Sequence, residues 1–91
     1  MTKLEEITEQ YPDVELLSAD GFEEAIIGVA AIKQTAQFVL VYSRTKCIEI
    51  LIKRDRMSKE EAEEYFDFNV EGAYMGEKTP IFVDDMFFIG E

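Results

Sequence analysis

The chain contains no histidine, no tryptophan and a single cysteine, Cys47. Without histidine, neither a Ser-His nor a Cys-His nucleophile pair can form within it, and no zinc can be held by imidazole. One cysteine excludes an intrachain disulfide and a Cys-rich metal site, and it fits a reducing compartment. Bases are scarce, with nine Lys and Arg against 20 Asp and Glu, for a formal net charge of -11. Such a charge opposes direct binding to DNA, RNA or an anionic membrane, whose phosphates it repels. No apolar run approaches the length of a membrane span. The N-terminal stretch MTKLEEITEQ lacks the apolar centre of a signal peptide. A cytoplasmic location is therefore expected.

What is present is globular. The 91 residues are 47% hydrophobic and 12% aromatic, which suits one small domain and not a disordered chain. The organising stretch is MSKEEAEEYFDFNVEGAYMG, residues 57–76. Ser58 followed three residues later by Glu61 has the spacing of a capping box. Glu60, Glu61, Glu63 and Glu64 follow at once, where the positive end of the helix dipole favours acids. At about 100° per residue, Tyr65, Phe66, Asn69, Val70 and Ala73 fall on the side of Ala62, while Glu60, Glu63, Glu64, Asp67 and Glu71 fall opposite. An amphipathic helix over 58–75 is expected, ended by Gly72 or Gly76.

The remaining elements follow in order. Residues 2–10 read as a short helix capped by Thr2, with Leu4 and Ile7 as a thin apolar edge and Pro12 beyond its end. Residues 14–17 suggest a brief strand, and 18–21 a turn. Residues 25–32 and 37–42 are rich in β-branched and aromatic residues and read as a hairpin. Gly28 and Ala30 share one face of its first strand and would let another backbone approach closely. Phe38, Leu40 and Tyr42 alternate with Val39 and Val41, so the second strand is apolar on both faces, the mark of a central strand or a subunit contact. Residues 44–55 fit a strand by the alternation of Ile48, Ile50 and Ile52. They fit a helix better, by the caps offered at Ser43 or Thr45 and the bases Lys53, Arg54 and Arg56 at the far end. Residues 81–83 read as a short strand after Pro80. The tail Met86-Phe87-Phe88-Ile89 is too apolar to stand in water, so it packs on the body or on a second copy. The expected fold is α+β: a small antiparallel sheet, hairpin plus a short third strand, packed by two consecutive helices and a short N-terminal one.

Charge is segregated along this order. Residues 1–32 hold one base and eight acids, net -7; residues 33–59 hold seven bases and two acids, net +5; residues 60–91 hold one base and ten acids, net -9. The candidate partner-binding residues are Glu60, Glu64, Asp67 and Glu71, spaced to line one helix face, with Phe68 and Tyr74, which fall off the packed arc. Such a stripe could imitate a phosphate backbone and occupy a basic protein surface. The plainer alternative is a solvated face partly neutralised by the basic helix beside it. Asn69, inside the apolar arc, either pins a loop carbonyl near Asp20-Gly21 or lines a small pocket. Adjacent acids such as Asp84-Asp85 point to opposite faces of a strand and form no calcium loop, so no metal is expected. No cofactor and no catalytic residue is expected, and Cys47 reads as a small buried apolar residue.

The segments ADGFEEAIIGVA, YSRTKCIEIL and EEAEEYFDFNVEGAYMGEKTPIF together span roughly residues 19–83. In combination they resemble a group of small acidic, uncharacterised proteins encoded by tailed bacteriophages. The resemblance implies a phage origin and action in the host cytoplasm, and it carries no activity or site residue with it. The functional expectation is a non-enzymatic accessory protein that binds and modulates a host protein with a basic surface. The alternative is a small homodimeric interaction module.

Overall fold

A computed structural model describes residues 3–19, 21–71 and 78–84, and of Glu71 only the backbone. Thr2, Tyr74, both glycines proposed as helix stops and the tail after Asp84 lie outside the described residues. The element order is α1 (Lys3–Gln10), β1 (Ile26–Ile32), β2 (Gln37–Ser43), α2 (Arg44–Asp55), α3 (Lys59–Phe66) and β3 (Ile81–Val83). A 3-10 turn, Glu23–Ala25, leads into β1, and a π turn, Asp67–Glu71, extends α3. This is the expected α+β class, with the two consecutive helices and the short N-terminal one.

The sheet order is β1-β2-β3, which makes β2 central. β1 and β2 pair antiparallel as the hairpin. The sheet is not antiparallel throughout, because β3 runs parallel to β2, with Tyr42 opposite Phe82. The direction follows from the connection: the chain leaves β2 through two helices, and a crossover of that length can deliver a parallel strand. The pairing shifts register between Ile26 and Gly28, leaving Ile27 turned outward at 44% exposure. That bulge explains why β1 does not alternate: Ile26 is in the core and Val29, three residues on, packs against it. β2 buries Leu40 and Tyr42 on one side and Val39 and Ser43 on the other, as its two apolar faces require. No close approach occurs at Gly28, where an added Cβ would have open space around it.

Residues 14–17 belong to no strand. They run past the sheet, placing Leu16 and Ala19 against the core, and the Ala19 N–H donates to the Tyr42 hydroxyl at 2.7 Å. Satisfying that backbone donor through a buried phenol replaces the ladder bonds a strand would have made. α1 contributes Leu4 and Ile7 to the edge of the same core, as its thin apolar edge predicts.

Residues 44–55 are helical. Ser43, fully buried, caps α2 by accepting the Lys46 N–H at 3.1 Å. Cys47, Ile48 and Leu51 are buried from it, and Lys53 and Arg54 lie in its last turn. Arg56 ends the helix in the left-handed conformation, φ 56°. The core is then Phe22, Ala25, Ile26, Leu40 and Tyr42 from the sheet side, joined by Cys47, Ile48, Leu51, Ala62 and Phe66 from the helices.

Candidate functional site

α3 begins where its sequence says it should. The Glu61 N–H donates to the Ser58 hydroxyl at 3.2 Å, and the Ser58 N–H donates to the Glu61 carboxylate at 2.9 Å. Two orphan donors of the first turn are thereby satisfied. The bonds from Ser58 hold the Glu61 carboxyl below its ordinary pKa.

Only Ala62 and Phe66 of α3 are buried. Phe66 meets Phe82 edge-on, with ring centroids 5.1 Å apart and planes at 88°. The Arg44 guanidinium lies over the same ring, 5.6 Å from its centroid, and donates to Asp67 Oδ1 at 3.1 Å. Burial works against the Arg44 charge, but the hydrogen bond and charge of Asp67, with Asp84 and Glu63 adding, outweigh it and raise its pKa. Arg44 therefore clamps the end of α3 to the start of α2.

Beyond Phe66 the backbone widens into a π turn. Each residue of such a turn advances less around the axis than the α-helical 100° or so, because the bond closes at i+5. On an α-helix Asn69 would fall close to Ala62, with Val70 at the margin of the seam. The slower advance exchanges them. Val70 packs against the core, and Asn69 is exposed, its side-chain amide donating to the Tyr65 carbonyl at 3.2 Å. Asn69 thus neither pins a distant loop nor lines a pocket. The same rotation carries Phe68 toward the acidic side, where it stands 77% exposed, with Tyr65 at 42% one turn before it. An exposed Phe side chain forgoes about 1.5–3 kcal/mol of burial.

The acidic face is largely free of internal counter-charge. Of its four proposed members, Glu60 and Glu64 are exposed and pair with no described cation, while Asp67 is held by Arg44 and still 52% exposed. The side chain of Glu71 and all of Tyr74 lie outside the described residues. Of the basic block preceding α3, Arg54 is engaged elsewhere. Arg54 donates to the Gly21 carbonyl at 2.8 Å, pairs with Asp55 at 3.1 Å and lies 5.3 Å over the Phe22 ring. Gly21 sits at φ +89°, a conformation that favours glycine, and a Cβ there would meet an Arg54 nitrogen at 2.7 Å and displace the end of that side chain. Lys46 and Lys53 line a separate open cleft of about 540 Å³ with Gly21, Glu24, Glu49, Ile50 and Arg54. Its mixed charge selects no ligand of one sign.

Among the described residues there is no cluster of three metal-ligating acids or thiols, and no helix is long and apolar enough to cross a membrane. Sequence reasoning named Arg54 only as a base at a helix end and gave neither Arg44 nor Arg54 a clamping role. The signal was their arginine identity in a block read only by its net charge: both are held by carboxylates and rings, which a planar guanidinium suits better than an ammonium does.

The chain matches no family model, no curated protein and no solved structure.

Proposed function

We propose that this is a non-enzymatic accessory protein of bacteriophage origin that binds and modulates a protein of the host cytoplasm through the outer face of α3 and its π turn. One observation supports the docking face: Glu60 and Glu64 stand without a described cation beside an exposed Phe68, although a basic helix directly precedes them. A face that combines unpaired charge with an exposed aromatic suits a basic protein surface. The sign of the charge opposes direct binding to nucleic acid. The test is affinity capture from bacterial lysate at low and high salt, using the native chain and a Glu60→Gln, Glu64→Gln, Asp67→Asn variant. A partner held at low salt, released at high salt and lost by the folded variant supports the proposal. A partner retained by that variant overturns it. A homodimer through the sheet is the second reading, favoured by Ile81 and Val83, exposed at 36% and 38% on the edge strand; light scattering separates the two.

A further inference from the structure

The molecule holds two of its own guanidinium groups in the same way. Arg44 lies over the Phe66 ring while bonding Asp67. Arg54 lies over the Phe22 ring while bonding Asp55. In each case an aromatic face and a carboxylate grip one planar cation from two directions. Guanidinium suits this grip because it is flat, weakly hydrated and able to stack while donating in its own plane.

The outer surface of α3 offers the same pair of groups unfilled. Glu64 lies one helical turn before Phe68, close enough for their side chains to be neighbours. Glu60 lies one turn before Glu64, and Tyr65, itself partly exposed, flanks Phe68. The slower advance of the π turn narrows the angle between Phe68 and Glu64 further. Resting on the reading of this face as a docking surface, we propose that its occupant is an arginine-bearing segment of a partner protein. A guanidinium of that segment stacks on Phe68 and pairs with Glu64, and a neighbouring base meets Glu60. The site selects arginine over lysine, because an ammonium can satisfy the carboxylate but gains less from the ring.

Two synthetic peptides test this, one alternating arginine with alanine and the other carrying lysine at the same positions, titrated against the full chain by fluorescence anisotropy. The arginine peptide is expected to bind on the order of five-fold more tightly. Phe68→Ala and Phe68→Leu are both expected to reduce it to the affinity of the lysine peptide. The leucine variant keeps an apolar side chain and loses only the π face. Thermal melts of both variants confirm folding, which an exposed side chain does not control. Equal affinity for the two peptides, or a preference that survives Phe68→Leu, overturns the stacking proposal. If both peptides still bind and both are released by Glu60→Gln with Glu64→Gln, the docking reading survives that failure. If neither peptide binds the native chain at low salt, both proposals fall.

Discussion

α2 and α3 are consecutive helices of opposite charge, and the fold treats them differently. α2 buries Cys47, Ile48 and Leu51 and starts from a fully buried serine. α3 buries only Ala62 and Phe66, starts from an exposed serine and leaves Tyr65 and Phe68 in water. Two of α2's cations are engaged in structural bonds, Arg44 to Asp67 and Arg54 to Gly21 and Asp55. Adjacency in sequence therefore does not amount to mutual neutralisation. Opposite charges cancel only where the side chains reach one another, and between these two helices the described ion pair is the single clamp of Arg44 on Asp67. One helix anchors the domain, and the other displays a surface from two anchor points.

The largest effects should fall on those anchors. Leu51→Ala is expected to cost about 2–5 kcal/mol and Phe66→Ala about 3–5 kcal/mol, read from urea unfolding. A domain of this size has roughly 5–14 kcal/mol in total, so either variant approaches the limit of folding. Phe68→Ala, in the π turn two residues beyond Phe66, should change stability by less than about 0.5 kcal/mol. If Phe68→Ala destabilises as Phe66→Ala does, the division between anchor and display is wrong.

Much of this arrangement was legible beforehand. The capping box, the hairpin, the buried Cys47 and the helical character of 44–55 all rest on local patterns, and local patterns survive folding. Four features were not legible, for physical reasons. The bulge at Ile27 and the parallel direction of β3 depend on pairing between distant segments, which periodicity does not encode. The π turn alters the angle that every helical projection assumes, so Asn69 and Val70 exchanged places. The fate of the basic block depended on which atoms of Arg44 and Arg54 reached which rings and carbonyls, and net charge is silent on that. The acidic face itself was visible as spacing; that Glu60 and Glu64 pair with no described cation depends on the fold.

Effects of intermediate size lie at the two caps. Ser43→Ala removes a buried acceptor from the Lys46 N–H and should cost toward the upper end of about 0.5–2 kcal/mol, because water cannot replace it. Ser58→Ala removes an exposed acceptor and should cost about 1 kcal/mol or less. The second cap also responds to pH. The Glu61 pKa is lowered on folding, so its contribution is present above the ordinary value of 4.5 and is lost as the pH falls through the lowered one. The stability difference between the native chain and Glu61→Gln should therefore shrink through that window. A difference that grows on acidification would mean that the bond to Ser58 does not hold in solution.

The smallest expected effect decides the most about the displayed face. Glu60→Gln with Glu64→Gln should shift stability by no more than about 0.5 kcal/mol in either direction. Two opposing contributions nearly offset each other. Removing Glu60 from the first turn loses a favourable dipole interaction of about 0.3–1 kcal/mol. Removing like charges one turn apart relieves a repulsion of about 0.2–0.5 kcal/mol. Asp67→Asn should cost slightly more, up to about 1 kcal/mol, because it breaks the exposed pair with Arg44. Urea titrations of the two variants at low and high salt separate these cases, since salt screens the repulsion and the pair alike. A loss well above 1 kcal/mol in the double glutamine variant would reveal a cation already resting on this face, and a face so occupied could not dock a basic partner without first releasing it.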